Sequence, residues 1–121
     1  SWRSRAFPTE LELDAADAQA LHVVAYNRLG QPLGTGRLLE HAPGVGRIGR
    51  MAVLASVREA GIGRPLLDRL VQLARERGDL EVILHAQSSA IGFYDRAGFV
   101  PRGEAFEEAG IVHQEMALSL R

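Results

Sequence analysis

Residues 47–78 read RIGRMAVLASVREAGIGRPLLDRLVQLARERG, and the fold turns on this stretch. Ile48, Met51, Ala52, Val53 and Leu54 form a short, nearly continuous apolar run, the pattern of a strand covered on both faces. Leu66, Leu67, Leu70, Val71 and Ala74 then recur at helical spacing, with Arg69, Gln72, Arg75 and Glu76 on the opposite side. Pro65 suits a first turn, where its missing N–H has no intrahelical partner, and Gly78 is a helix stop. Between strand and helix runs Arg58-Glu59-Ala60-Gly61-Ile62-Gly63-Arg64. Its glycines let backbone approach a ligand closely, and the helix start offers unpaired N–H groups at the positive end of a dipole. With Arg58 and Arg64 beside them, the arrangement is an anion cradle suited to a phosphate.

The strands on either side follow from the same stretch. Upstream, Leu21 to Tyr26 is rich in β-branched and aromatic residues, and Leu33 to Glu40 returns after the turn Leu29-Gly30-Gln31-Pro32, giving a hairpin. Gly34 and Gly36 in the returning strand signal a bend or a close approach by neighbouring atoms. Downstream, Leu80 to Ala86 is a strand, so strand, helix and strand make a right-handed crossover with a parallel pair. A helix capped by Ser88 or Ser89 runs to Ala97 and stops at Gly98. Phe99 to Gly103 is a short edge strand because of its Pro, Glu104 to Gly110 an acidic loop, and Ile111 to Leu120 the last strand. Of the first twenty residues, Trp2 and Phe7 read as surface anchors and Thr9-x-x-Glu12 as a capping box on a short turn. The fold class is α/β (α+β), a mixed and mostly antiparallel sheet with one parallel βαβ crossover.

Composition narrows the function. A chain of 121 residues with 46% hydrophobic content is one domain with a real core. A formal charge of -1 gives no basic excess for nucleic acid. The absence of cysteine removes disulfides and thiolate metal sites and favours the cytoplasm, while the four dispersed His residues lack metal-ligand spacing. No apolar run approaches the roughly 20 residues that span a bilayer. The chain starts Ser-Trp-Arg without Met, so an upstream segment is expected to be missing.

The identity of the phosphate ligand follows by exclusion and then by resemblance. The dinucleotide fingerprint needs a glycine where Leu66 stands, and no G-K-[ST] follows. Arg58-x-x-Gly61-x-Gly63 after an apolar strand resembles motif A of the GNAT superfamily of N-acetyltransferases, and Ala90-x-x-Phe93-Tyr94-x-x-x-Gly98-Phe99 resembles its motif B. Leu84-His85-Ala86-Gln87 and Gly110-Ile111-x-His113-x-x-Met116 look like the ElaA-like branch. The resemblance covers roughly residues 21–120 and implies a GNAT domain whose opening strand and helices are mostly outside this chain. It implies acetyl-coenzyme A as co-substrate, its pyrophosphate on Arg58, Glu59, Ala60, Gly61, Ile62, Gly63 and Arg64. Its pantetheine arm would pair with the backbone of Met51, Ala52 and Val53, with Phe93 beside it.

Acetyl transfer to an amine also needs an acid for the leaving thiolate and a base for the amine. Tyr94 is the candidate acid, since a phenol with a pKa of about 10 stays protonated where a thiol of about 8.5 must be reprotonated. His85 and His113 are the candidate bases; strand alternation puts His113 and Glu115 on one face, where the carboxylate would orient the imidazole. The bland alternatives are a core aromatic, structural histidines and deprotonation by water. The acids Glu12, Asp14, Glu104, Glu107 and Glu108 suggest a cationic acceptor, a small molecule or peptide, with a homodimer compatible. The rival reading is a non-catalytic module that binds an acyl-coenzyme A as a sensor; it would keep the loop but not need Tyr94.

Overall fold

The computed structural model describes residues 9–17 and 20–121. Twelve short elements follow one another: β1 (Thr9–Asp17), β2 (Ala20–Asn27), β3 (Pro32–Ala42), β4 (Val45–Val53), a 3-10 turn (Ala55–Ala60), α1 (Gly63–Arg77), β5 (Glu81–Gln87), a 3-10 turn (Ser88–Ala90), α2 (Ile91–Arg96), β6 (Val100–Pro101), β7 (Phe106–Glu108) and β8 (Ile111–Ser119). They build an eight-stranded sheet in the order β1-β2-β3-β4-β5-β8-β6, with β7 also paired to β8. Among the described residues only β4 and β5 run parallel; the other pairs are antiparallel.

Helix α1 forms as its pattern dictates. Pro65 sits in the first turn, and Gly78 closes the helix at φ 91 with its N–H donating to the carbonyls of Ala74 and Arg75. Pro65, Leu66, Leu67, Leu70, Leu73 and Ala74 are buried against the sheet. Full burial of each leucine contributes roughly 1.5–3 kcal/mol, so this face holds the helix in place. The glycines of β3 make that contact close. A Cβ on Gly36 would come within 2.6 Å of Leu70 Cδ1 and 2.7 Å of Met51 Sδ, and one on Gly34 within 2.8 Å of Leu66 Cδ1. The expected close approach is therefore that of helix side chains onto the strand.

Three expectations are corrected. The Thr9-x-x-Glu12 capping box is instead strand β1, paired in register from Thr9↔Asn27 to Asp14↔His22. Leu11 alternates with its acidic neighbours and packs on the core, which is strand rather than helix periodicity. The acidic loop contains β7, and its hairpin to β8 turns on Ala109 and Gly110, both at positive φ (53 and 77), the pattern of a type I′ turn. Neither Ser88 nor Ser89 caps α2; Ser88 Oγ donates to the Val112 carbonyl (3.3 Å) and ties the chain to β8 instead. The anchors Trp2 and Phe7 lie outside the described residues.

One irregularity in β4 positions everything that follows. Thr35 pairs with Ala52 and Arg37 with Gly49, so two steps on β3 oppose three on β4. The extra residue lies at Arg50–Met51, and Arg50 holds φ 52, a left-handed conformation unusual for a side chain of this size. The parallel pairing of β4 with β5 ends at Ile48↔Leu84, where the bulge begins. Beyond that point Gly49–Val53 and His85–Gln87 are no longer paired with each other, and the sheet opens.

Candidate active site

The opening between β4 and β5 holds two cavities. One, of about 470 Å³, is lined by Met51, Ala52, Val53, Arg58, Glu59, Gly61, Gly63, Arg64, Ala90, Phe93 and Tyr94. Ten of the candidate cofactor residues and acid thus fall together, with Ala90 the unexpected member. The other, of about 430 Å³, is lined mainly by polar groups, among them Arg47, Arg50, His85, Gln87, Glu108 and His113. Met51, Ala90 and Tyr94 line both. The two spaces meet at those three residues.

In the first cavity the backbone is prepared for a ligand. Leu54 N–H donates to Leu33 O (2.9 Å), which fixes the alternation along the end of β4. Ala52 accordingly turns its polar groups to β3, and Met51 and Val53 turn theirs into the gap. Gly61 at φ 78 and Ile62 lead into α1, whose first-turn residues Gly63 and Arg64 have N–H groups without intrahelical partners. Gly63 lies against the Phe93 ring, at 3.5 Å for an added Cβ.

Details of the cradle depart from the sequence reading. Arg58, Glu59 and Ala60 are not open loop but the end of the 3-10 turn, and Ile62 contributes backbone only, because its side chain is buried in the core. Arg58 Nε donates to the Val53 carbonyl (3.3 Å), using one of five donors. Arg64 Nε donates to Asp68 (2.9 Å) one helical turn on, an exposed pair that offsets part of its charge.

Tyr94 stands where the cavities join. Its ring meets Phe93 and Phe99 edge-on, at 5.1 and 6.0 Å between centroids. Burial pushes the phenol pKa above its ordinary value of 10.0, because the phenolate would lose hydration. The group therefore holds its proton throughout the neutral range.

The histidines separate clearly. His113 is buried, 8% exposed, and stacks on Phe106 with ring centroids 5.9 Å apart. Its Nδ1 lies 2.8 Å from the Ile111 carbonyl, which can only accept. Nδ1 therefore carries the proton in the neutral ring, and Nε2 keeps the lone pair. Glu115 does not orient this imidazole, contrary to expectation. It sits directly across from His85 in the β5–β8 register, and its Oε1 lies 3.5 Å from His85 Nε2.

His85 is surrounded on all sides. Arg47 Nη2 lies 3.1 Å from Nδ1, Glu108 Oε2 lies 3.3 Å from the same nitrogen, and the Phe106 ring stands edge-on at 5.0 Å. It therefore joins β4, β5, β7 and β8. Of the acids thought to attract a cation, Glu108 lines this cavity and Glu104 and Glu107 do not. Arg47 and Arg50 were missed. Their signal was present in the sequence: two arginines interrupting an otherwise apolar strand.

Comparison with known proteins gives the family and the fold. The acetyltransferase (GNAT) domain family model matches residues 3–120. The uncharacterised N-acetyltransferase YjcF of Bacillus subtilis is 36% identical over 110 residues, covering 90% of this chain and 77% of that protein. Among solved structures, an acyl-CoA N-acyltransferase from Pseudomonas aeruginosa superimposes with a TM-score of 0.72 at 34% identity, over 81% of this chain and 67% of the other. Escherichia coli ElaA superimposes with a TM-score of 0.72 at 27% identity, with the same coverage of 81% and 67%.

Proposed function

The chain belongs to the GNAT family of acetyltransferases, and on that premise we propose that it transfers an acetyl group from acetyl-coenzyme A to an amine by direct attack, with Tyr94 as general acid and His113 as general base. The observation that carries this reading is that Met51, Ala90 and Tyr94 line both cavities, so a thioester laid in one meets an acceptor entering through the other. Membership in the family implies use of an acyl-coenzyme A. The residues present fit one: glycines and first-turn amides for the pyrophosphate, and the gap-facing backbone of Met51 and Val53 for the amide-bearing arm.

The chemistry then divides among the chain's own groups. His113 Nε2 takes a proton from the acceptor ammonium, directly or through a water, giving the free amine. The amine nitrogen attacks the thioester carbonyl, and backbone N–H groups of β4 polarise the carbonyl oxygen as it gains charge. As the carbon–sulfur bond breaks, Tyr94 gives its proton to the departing thiolate, and the proton that the nitrogen sheds on becoming an amide returns, directly or through a water, to the Tyr94 oxygen. A phenol with a pKa above 10 is a weak acid, yet the thiolate is formed beside it in a partly dry site and needs the proton at that moment.

The test is calorimetry of the purified chain with acetyl-coenzyme A, followed by thiol release across a panel of amines. Binding with turnover of at least one amine supports the enzyme. Binding without turnover of any would identify a sensor module, and absence of binding would overturn the reading altogether.

A further inference from the structure

We infer that the acceptor of this enzyme carries an anionic group, a carboxylate, beside the amine that is acetylated, and that Arg47 receives it. The inference rests on the acetyltransferase reading above and concerns the second cavity of the same site.

Three observations carry it. First, the charged side chains lining the 430 Å³ cavity are Arg47, Arg50 and Glu108, an excess of positive charge in a chain whose formal charge is -1. Second, Arg47 is held without being neutralised. Its Nη2 lies 3.1 Å from His85 Nδ1, and among the described residues no carboxylate oxygen pairs with its guanidinium. Third, Glu108 comes within 3.3 Å of that same nitrogen, yet Arg47 and Glu108 form no ion pair with each other. A guanidinium with one nitrogen against the imidazole keeps its other donors for a ligand. Its fork matches a carboxylate in two parallel hydrogen bonds.

The surroundings fix this arrangement. His85 Nε2 faces Glu115 at 3.5 Å, and the Phe106 ring packs edge-on against the imidazole. His85 is thereby a positioning residue for Arg47. Glu108, which reaches the same ring nitrogen and lines the same cavity, is placed to attract the ammonium end of the acceptor before His113 takes its proton. The pair presents opposite charges to the two ends of an amino-carboxylate.

The experiment compares matched acceptors that differ only in that charge: glycine with glycinamide, β-alanine with β-alaninamide, and γ-aminobutyrate with its amide, each by thiol release at saturating acetyl-coenzyme A. The expected result is that at least one carboxylate is preferred over its amide in kcat/KM. Arg47→Gln should then raise the carboxylate's KM roughly ten- to hundredfold, the usual loss for a charged hydrogen-bonded pair, and leave the amide's KM unchanged. Arg47→Lys should recover part of the preference, and affinity for acetyl-coenzyme A should not move in either variant. Preference for the amides, acetylation of no carboxylate in the panel, or equal effects of Arg47→Gln on both series would overturn the inference. Acetyl-coenzyme A binding, measured separately, distinguishes these failures from failure of the acetyltransferase reading.

Discussion

Replacing Tyr94 with Phe isolates one proton. The ring packs edge-on between Phe93 and Phe99, and a phenylalanine keeps both contacts at the same centroid distances of 5.1 and 6.0 Å. Among the described residues the hydroxyl has no hydrogen-bond partner, so its loss should change stability by no more than about 0.5 kcal/mol. Turnover is different. Loss of a positioned proton donor lowers rate by about 10²–10⁴-fold, which at roughly 1.36 kcal/mol per decade is about 2.7–5.4 kcal/mol of barrier. The pH dependence follows from the direction of the pKa shift. Burial raises the phenol above 10.0, so the proton is present throughout the neutral and mildly alkaline range and is lost only as pH rises through that elevated value. The wild-type enzyme should therefore show no alkaline fall in kcat attributable to Tyr94 below about pH 10. The assay is thiol release at saturating acetyl-coenzyme A from about pH 6 to about pH 10, with calorimetry and thermal melting on both proteins. Wild-type turnover in the Phe variant would refute the role. So would a rate loss matched by equal losses of cofactor affinity and melting temperature, since it would make Tyr94 a packing residue.

His113→Ala should depress turnover most at low pH, where the amine arrives protonated, and raised pH should restore part of it; a pH–rate profile parallel to wild type would leave deprotonation to water. Arg58→Ala should weaken acetyl-coenzyme A binding about tenfold, near the low end for a charged hydrogen bond because one donor is already used on Val53, and unchanged affinity by calorimetry would move the phosphate site elsewhere. Gly36→Val should cost about 1–3 kcal/mol by overpacking Leu70 and Met51, and a melting temperature equal to wild type would mean that helix and strand are less closely packed than described.

What was legible in the sequence was whatever depends on periodicity and on glycine. The apolar run into the Arg58–Arg64 loop, the leucine face of α1 and the parallel crossover all follow from spacing that few other folds satisfy. Tyr94 and Phe93 were legible because a motif fixes their distance from the loop. The partners of the histidines were not. Strand alternation puts His113 and Glu115 on one face, but neighbours across strands lie closer than residues two apart on one strand, and the register places Glu115 opposite His85. Register depends on which strands pair and where they bulge, which one sequence does not state. Strand β1 was hidden for another reason: Thr9 and Glu12 fit a capping box by spacing, while the period-two alternation around Leu11 is too short to outweigh it without its partner strand.

The extra residue at Arg50 joins these levels. With no bulge, β4 would continue beside β5 past Ile48, the backbone of Met51 and Val53 would be used in the sheet, and neither cavity would exist. The bulge turns those backbone groups away from the sheet, the Val53 carbonyl to Arg58 Nε and the others to the cavity, and it does so at the cost of holding a long side chain at φ 52. That cost is of order 1–3 kcal/mol, small beside the leucines buried by α1 and close enough to be borne by Gly34 and Gly36, which let the helix settle onto β3. The same departure from regular pairing leaves two arginines at the mouth of the opening, Arg47 just before it and Arg50 within it. In a continuous sheet their charges would serve no purpose on a buried strand; at a split sheet they line the second cavity, the space we propose for the acceptor. The feature that opens room for the cofactor thus also sets the charge that the acceptor meets.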